Sequence, residues 1–318
     1  MNIRFWGTRG SIPVALTSAD IRDKIVQALM KASGRSFAST EEAYAFTRTE
    51  LGFSVKNTFG GHTPCVELDL GGDEYYVCDM GSGARPFGSH VLARQHGRPA
   101  TVNIFMSHVH WDHIMGFPFF GPAYVPGMKI RIHGCHDVLE QAFRLQQAPP
   151  CFPVEFDQMA ASMEFVQLAP GKRHIVGGLA VTPALQLHSG DSYGYRFEID
   201  GKTVVYSTDS EHKLDDSAET RRIADFFREA DVVIFDAMYA LADAISVKAD
   251  WGHSSNIVGV ELCQLALAKH LVLFHHEPAN NDATLERLLM ETRRFEELTR
   301  SGPMLVVSSS YDGMEIAL

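Results

Sequence analysis

A dense run of metal-ligand side chains constrains the fold of this chain more than any other feature: Ser107-His108-Val109-His110-Trp111-Asp112-His113. The run directly follows the apolar segment Val102–Met106, which has the length and composition of a buried strand. In an extended chain, residues two apart point to the same side, so the first two histidines can face one metal ion. A turn into a helix would let the following Asp and His face a second ion. Imidazoles and carboxylates together suit Zn²⁺, with Mn²⁺ or Fe as alternatives.

Apolar segments of strand length alternate along the chain with amphipathic segments of helical length. The predicted strands include Val204–Tyr206, Val232–Phe235, Leu271–Phe274 and Met304–Val307. The predicted helices include Ala218–Glu229, Ser255–Lys269 and Ala283–Thr299. Asp200-Gly201 suits a tight turn and predicts a hairpin between Phe197–Ile199 and Thr203–Tyr206. Hairpin and crossover connections together predict a mixed sheet covered by helices.

The segment 17–53 interrupts this pattern and is predicted to be a helical insertion. Two helices, Ser18–Ala32 and Thr40–Leu51, are expected within it, with Ser18 and Thr40 as N-caps. The segment can be a helical hairpin on the surface or a lid that narrows a site, and the lid is slightly favoured because loops near a site often carry function.

The bulk properties bound the partners and the compartment. The formal net charge is -11, and the sequence contains no basic stripe that could hold a long nucleic acid. A small anionic substrate held by metal ions remains compatible with this charge. The five cysteines form no C-x-x-C pair, which favours a reducing compartment. Without an apolar segment of membrane-spanning length or a signal-peptide core, a cytoplasmic location is predicted.

Several motifs resemble the metallo-β-lactamase superfamily. The H-x-H-x-D-H pattern after a strand is its signature, and three further segments are similar to its ribonuclease Z and cyclic-phosphodiesterase branch. These segments are Phe5–Ser11, Gly60–Cys65 (where many relatives have Asn in place of His62) and Asp79–Gly83. The resemblance implies one domain over residues 1–318 with the αββα sandwich fold, in which helices flank two mixed sheets.

The same resemblance implies the remaining ligands of two divalent metal ions. His188 matches the third histidine of the first metal, and Asp209 matches the carboxylate that bridges both ions. His275 matches the last histidine of the second metal, although the neighbouring His276 is an alternative. The complete implied ligand set is His108, His110, Asp112, His113, His188, Asp209 and His275. Residues expected to support the ligands or to face the substrate are His276, Asp79, His62 and Tyr193.

A proton donor is also implied. Gly252-His253-Ser254 resembles a helix start at which the histidine protonates the leaving oxygen, and Asp236 matches the carboxylate that orients it. A carboxylate raises the pKa of a neighbouring imidazole and fixes its tautomer, which suits a general acid. His253, Asp236 and Asp112 are therefore expected to act in catalysis.

The expected activity is hydrolysis of a small, cyclic nucleotide or phosphoribosyl phosphodiester by a hydroxide held between two metal ions. The alternatives are a tRNA 3′-processing endoribonuclease, a lactone or thioester hydrolase, and a metal-binding protein without turnover. The expected partners are a nucleotide-like anion and, as in many relatives, a second copy of the chain. Neither a membrane nor a long nucleic acid is expected as a partner.

Overall fold

Two seven-stranded sheets form the centre of the molecule in a computed structural model, which describes residues 1–213, 217–240 and 251–318. The strands of the first sheet are β1 (Asn2–Gly7), β2 (Cys65–Asp69), β3 (Glu74–Cys78), β4 (Thr101–Phe105), β5 (Lys129–Gly134), β6 (Ser162–Gln167) and β14 (Glu315–Ala317). The strands of the second sheet are β7 (His174–Val176), β8 (Leu179–Gln186), β9 (Ser192–Ile199), β10 (Lys202–Ser207), β11 (Val232–Asp236), β12 (His270–Phe274) and β13 (Val306–Ser309).

Both sheets are mixed and follow the same plan. The first has the order β14-β1-β2-β3-β4-β5-β6, and the second has the order β13-β12-β11-β10-β9-β8-β7. Strands β3 to β6 are parallel, as are β10 to β13, and antiparallel strands complete each sheet. The predicted hairpin between β9 and β10 is confirmed. Its turn residues Asp200 and Gly201 have φ angles of 50° and 72°, as a type I′ turn requires.

Helices cover the outer faces of both sheets. The described helices are α1 (Ser18–Lys31), α2 (Thr40–Glu50), α3 (Phe53–Lys56), α4 (Ala84–Gln95), α5 (Trp111–Ile114), α6 (Leu139–Gln146), α7 (Ser217–Phe227), α8 (Asn256–Leu265) and α9 (Asp282–Thr299). Each of the three predicted helices after residue 217 is present, with ends that differ by at most four residues. Of the described helices, none combines the length and apolar composition that a membrane crossing needs.

Three apolar clusters hold the layers together. The central cluster joins the facing sides of the sheets and includes Phe5 and Phe105 from the first and Tyr206 and Phe274 from the second. A second cluster packs α4 and α6 on the outer side of the first sheet, and a third packs α7 and α8 on the outer side of the second. This order of helix, sheet, sheet and helix confirms the αββα sandwich.

The segment after β1 forms the expected helices, but they are capped by other residues. The N-caps are Thr17 and Ser39, so the expectation of Ser18 and Thr40 was wrong by one position in each case. The Thr17 side chain accepts a hydrogen bond from the Asp20 amide, and Asp20 accepts one from the Thr17 amide. The insertion therefore begins with a capping box, which the predicted N-cap at Ser18 did not include.

Candidate metal centre

The candidate metal centre lies where strands of both sheets end. The loop after β4 carries the ligand run. His188, Asp209 and His275 lie just after the ends of β8, β10 and β12, and Asp236 is the last residue of β11. A backbone bridge between Arg9 and His276 links the two sheets at this edge. Polar side chains that are distant in sequence therefore meet at one place in the sandwich.

The first group of ring nitrogens belongs to His108, His110 and His188, which lie within 4.8 Å of one another. The Nδ1 atom of His110 is 3.2 Å from Nε2 of His188. The Oδ2 atom of Asp209 lies 3.7 Å from Nε2 of both His108 and His188. Three imidazole nitrogens thus lie together, with a carboxylate oxygen next to two of them, and these are ligand types that bind zinc.

The second group consists of Asp112, His113, Asp209 and His275, whose ligand atoms also lie within 4.8 Å of one another. The Oδ1 atom of Asp209 is 3.1 Å from Nε2 of His113 and 3.3 Å from Nε2 of His275. Because Oδ2 of Asp209 faces the first group, its carboxylate has the placement needed to bridge two ions. The structure brings together all seven side chains that the resemblance implies as ligands.

The outer nitrogens of the histidines are held by protein groups. Nδ1 of His113 is 2.8 Å from Asp79, Nδ1 of His188 is 2.8 Å from the Gly252 carbonyl, and Nδ1 of His108 is 3.0 Å from the Ser107 hydroxyl. The opposite Nε2 atoms of His108 and His113 are buried and have no hydrogen-bond partner among the described residues. Oriented imidazoles with free inner nitrogens are what a metal site requires, so these residues fit divalent cations.

Asp79 organises the floor of the site. It is fully buried and accepts hydrogen bonds from the amide and hydroxyl of Ser107 and from the hydroxyl of Tyr206, at 2.7–2.8 Å. With the contact to His113, it ties the ligand loop of the first sheet to β10 of the second. The supporting position of Asp79 was expected from the sequence, but the contributions of Ser107 and Tyr206 were not. In the sequence, these two residues differ from ordinary strand or loop residues only by a hydroxyl group in or next to an apolar segment.

The electrostatics favour a cation. Burial alone would lower the pKa of His113, but the carboxylates of Asp209, Asp112 and Asp79 raise it well above its usual value. Burial alone would raise the pKa of Asp209, but the surrounding imidazoles hold it well below its usual range. The carboxylates of Asp112 and Asp209 are therefore stabilised by positive charge at this point. Divalent ions would supply that charge while the imidazoles bind as neutral ligands.

His253 lies beside both groups and is paired with Asp236. Its Nδ1 atom is 2.8 Å from Oδ2 of Asp236, and its ring stacks on His275 with centroids 5.1 Å apart. Burial lowers the pKa of His253, but the hydrogen-bonded Asp236 carboxylate, together with Asp209 and Asp112, raises it to about 9. Asp236 is fully buried and also accepts a hydrogen bond from the Ser210 amide, so its carboxylate is fixed in place. The arrangement can hold a proton on an imidazole that borders the ligand cluster.

The remaining candidates lie around this cluster. His276, next to His275, turns away from the cluster and its Nε2 atom is 2.8 Å from the Ser310 carbonyl. His62 is bonded through Nδ1 to the Ser82 hydroxyl at 3.1 Å and joins neither group of ligand atoms. Tyr193 is half-buried, and its ring packs edge-on against His136.

The backbone at the site adopts the left-handed region at residues that are not glycine. Asp79, Asp209 and His275 have φ angles of 59°, 44° and 58°. Such residues are uncommon and cluster at functional sites. Two glycines allow close approach to the ligands, because a Cβ atom on Gly10 would lie 2.7 Å from the His275 ring and one on Gly252 would lie 2.5 Å from His188. Gly10 was not recognised from the sequence as part of the site.

An αββα sandwich with a histidine and aspartate cluster at the shared edge of its sheets defines a metallo-hydrolase. The chain belongs to the metallo-β-lactamase superfamily, because the sequence profile of the Beta-lactamase superfamily domain matches residues 78–276. The protein ML1173 of Mycobacterium leprae is 30% identical over 149 residues, which cover 44% of this chain and 51% of that protein. The chain thus spans about half the length of the curated relatives it matches.

Two solved structures share the whole fold. Unliganded yeast PDE1 superposes with a TM-score of 0.64 at 14% identity, over 100% of this chain and 99% of PDE1. The short form of human tRNase Z superposes with a TM-score of 0.57 at 18% identity, over 100% of this chain and 99% of that protein. Similarity at this level shows the fold alone, and it leaves the chemistry and the substrate to be argued from the site.

Proposed function

We propose that this protein is a metal-dependent phosphodiesterase that hydrolyses a small nucleotide or phosphoribosyl phosphodiester, with a cyclic phosphodiester as the favoured substrate. His253 and Asp236 carry the proposal, since an oriented imidazole whose pKa is raised to about 9 borders the two ligand groups. Hydrolysis of an alkyl phosphodiester needs a proton for the departing alkoxide, and general acids contribute about 10²–10⁴-fold to such steps. Hydrolysis of an activated ester or lactone needs this proton less.

The proposed roles follow from the contacts. His108, His110, His188, Asp112, His113, His275 and the bridging Asp209 would hold two divalent ions, and Zn²⁺ is proposed with Mn²⁺ or Fe as alternatives. Such ions supply an activated water and positive charge beside the phosphoryl oxygens. His253 holds the proton for the leaving oxygen. Asp236 accepts a hydrogen bond from Nδ1 of His253, so the proton that can be transferred is the one on Nε2.

A nucleotide-like substrate is supported by two exposed tryptophans that adjoin site residues in the sequence. Trp111, between His110 and Asp112 in the chain, is 78% exposed, and Trp251, which precedes Gly252, is 62% exposed. Exposed tryptophans offer stacking surfaces that are worth about 1–3 kcal/mol per base in nucleic-acid complexes. We propose that they contact the base, while the net charge of -11 disfavours a long nucleic acid such as precursor tRNA.

The leaving group provides the sharpest test. In metal-loaded protein, His253→Ala should lose about 10²–10⁴-fold in kcat on a cyclic nucleotide, but much less on bis(p-nitrophenyl) phosphate, whose leaving group needs no proton. Metal content must remain unchanged in the variant. His96→Asn is the matched control, because His96 is an exposed histidine at the end of α4.

The same assay separates the alternatives. Trp111→Ala should raise KM for a cyclic nucleotide and leave KM for a cyclic ribose phosphate without a base nearly unchanged. Cleavage of a lactone with no cleavage of any phosphodiester would overturn the proposal. Cleavage of precursor tRNA in preference to cyclic nucleotides would assign the site to tRNA processing.

A further inference from the structure

Gly252, the residue before His253, is held on both sides by hydrogen bonds. Its amide donates to Oε2 of Glu211 at 3.1 Å, and its carbonyl lies 2.8 Å from Nδ1 of His188. A carbonyl can only accept, so Nδ1 of His188 carries the hydrogen and Nε2 is left free to bind a cation. The chain therefore enters His253 along a path that a carboxylate and a candidate metal ligand define together.

Glu211 connects three segments of the second sheet. It lies two positions after Asp209, in the loop that follows β10, and its own amide donates to the Leu187 carbonyl at 2.8 Å. Leu187 directly precedes His188. The main chain of Glu211 thus contacts the segment after β8, and its side chain contacts the segment before α8, which carries Gly252.

We propose that Glu211 is a positioning residue, which fixes His188 and His253 relative to each other by holding Gly252. The two imidazoles are neighbours, with ring centroids 5.1 Å apart. Because Gly252 accepts the hydrogen of His188, its position determines where the inner nitrogen of that ring lies. Because Gly252 is joined covalently to His253, the same position determines where the proton-donating ring starts. The part that concerns His253 rests on the proposed function, whereas the part that concerns His188 requires only a bound cation.

The segment needs this restraint because its own residues supply little. Gly252 has a φ angle of 82°, and a glycine populates positive and negative φ about equally. Trp251, the residue before it, is 62% exposed, so packing of that side chain does not fix the main chain. Asp236 binds the ring of His253 and restrains its rotation, but it does not contact Gly252 in any of the hydrogen bonds described above.

The hydrogen bond from Gly252 to Glu211 is suited to this role. The Glu211 side chain is only 12% exposed, so water competes weakly for its carboxylate. Hydrogen bonds to an ionised acceptor are roughly twice as strong as those between neutral groups. Alignment matters because a misplacement of about 1 Å can cost a reacting group about 10²-fold in rate.

Two substitutions separate the reach of Glu211 from its charge. Glu211→Gln keeps an acceptor oxygen at the same distance from the main chain, whereas Glu211→Asp keeps the charge but withdraws the acceptor by one methylene. In metal-loaded full chain, Glu211→Asp and Glu211→Ala should lose about 10–100-fold in kcat on a cyclic nucleotide, with KM nearly unchanged. Glu211→Gln should retain most of the activity. On bis(p-nitrophenyl) phosphate at saturating metal the losses should be much smaller, because that leaving group needs no proton.

Metal affinity provides a readout that does not involve a substrate. Competition with a chromophoric chelator should show binding about tenfold weaker in Glu211→Ala and close to wild type in Glu211→Gln, since residues that orient a ligand contribute about 10–100-fold. If these affinities are found but the wild type cleaves no phosphodiester, the proposed function fails and the role of Glu211 at His188 stands. If the wild type cleaves phosphodiesters and Glu211→Ala equals it in kcat and in metal affinity, the role of Glu211 is overturned and the proposed function stands.

Lys213→Ala is the matched control. Lys213 pairs with Oε1 of Glu211 at 3.3 Å, whereas Gly252 binds Oε2, so this variant removes the ion pair and keeps the bond to the main chain. It should behave as the wild type does, and losses equal to those of Glu211→Ala would overturn the proposal. The proposal is also overturned if Glu211→Gln is as impaired as Glu211→Ala. Circular dichroism and Tm identify the folded variants, and the comparison of Glu211→Gln with Glu211→Asp gives the same test if Glu211→Ala does not fold.

Discussion

The ammonium group of Lys24 lies 2.6 Å from Oδ2 of Asp282, and this ion pair joins the helical insertion to the first turn of α9. Asp282 is 5% exposed and also accepts hydrogen bonds from the Phe59 amide and the Thr58 hydroxyl. Because α9 begins shortly after His275, the ion pair connects the insertion to the segment that carries this candidate ligand.

Lys24→Met should therefore destabilise the protein by about 2 kcal/mol, because it leaves a buried carboxylate without its cation. Urea unfolding measures the loss, and hydrogen exchange should show the largest increase within residues 17–57. Lys31→Met, on the exposed end of the same helix, should change stability by less than about 0.5 kcal/mol. Equal effects of the two substitutions would contradict the role given to Lys24.

Asp79→Asn should weaken metal binding by about 10–100-fold while the fold remains intact. The neutral amide accepts fewer of the hydrogen bonds from Ser107, Tyr206 and His113 and no longer holds the His113 ring in one orientation. Competition with a chromophoric chelator measures the affinity. Asp73→Asn, an exposed carboxylate in the turn between β2 and β3, should bind metal as the wild type does.

The neighbouring residues His275 and His276 should respond differently to alanine. His275→Ala should lower the metal content of the purified protein, measured by elemental analysis, because its Nε2 atom faces Asp112 and Asp209. His276→Ala should retain the metal but lower Tm, since it removes a buried ring bonded to the Ser310 carbonyl. Retention of full metal content by His275→Ala would instead assign the ligand to another residue.

Asp236→Asn should move the alkaline limb of the pH–rate profile to lower pH. A general acid works only while protonated, so activity falls as the pH rises through its pKa. The Asp236 carboxylate raises the pKa of His253, and removing that charge lowers it. Bound cations would lower the value in both proteins, so the difference is the quantity to measure, as kcat/KM for a cyclic nucleotide. An alkaline limb that stays in place would exclude His253 as the proton donor.

Glu67, which is not one of the ligand residues, should make the stability of the protein depend on pH. Burial raises its pKa to about 7, despite hydrogen bonding from Trp6 and the charge of Arg4. The folded protein therefore holds this proton more tightly than the unfolded chain, and stability falls as the pH rises from about 4.5 to about 7.

Glu67→Gln removes this dependence and should stabilise the protein at pH 8 by up to about 3 kcal/mol, a gain that disappears near pH 4.5. Urea unfolding at the two pH values measures it. Glu315→Gln is the control, because Glu315 also pairs with Arg4 but is largely exposed. A stabilisation that is the same at both pH values would rule out the buried carboxylate as its cause.

The ligand loop could be predicted because it follows an apolar segment of strand length, and the resemblance to the metallo-β-lactamase superfamily implied the ligands that lie farther along the chain. Val102–Met106 predicted β4, and Leu271–Phe274 predicted β12. The observed ends of these strands differ from the predicted ends by at most one residue. Parallel strands end at the same edge, so the side chains after them converge. The hairpin at Asp200-Gly201 could also be predicted, because these two residue types favour the positive φ angles that its turn requires.

Other features depend on tertiary packing and could not be predicted. Tyr206 has the pattern of an ordinary strand residue, and only the facing sheet shows that its hydroxyl meets Asp79. The amphipathic pattern of α1 predicted a helix correctly. A surface helix ordinarily packs its apolar side inward, but the large apolar side chains of α1 are exposed. Lys24, by bonding to three partners on the molecule, fixes the opposite orientation.

The candidate metal centre draws its ligands from both halves of the sandwich. His108 to His113 follow a strand of the first sheet, whereas His188, Asp209 and His275 follow strands of the second. Ions held there would act as cross-links between two layers that otherwise adhere mainly through apolar contact. Chelation would then lower the stability of the whole sandwich rather than of one loop, and heat capacity scans of stripped protein would show unfolding at a lower Tm.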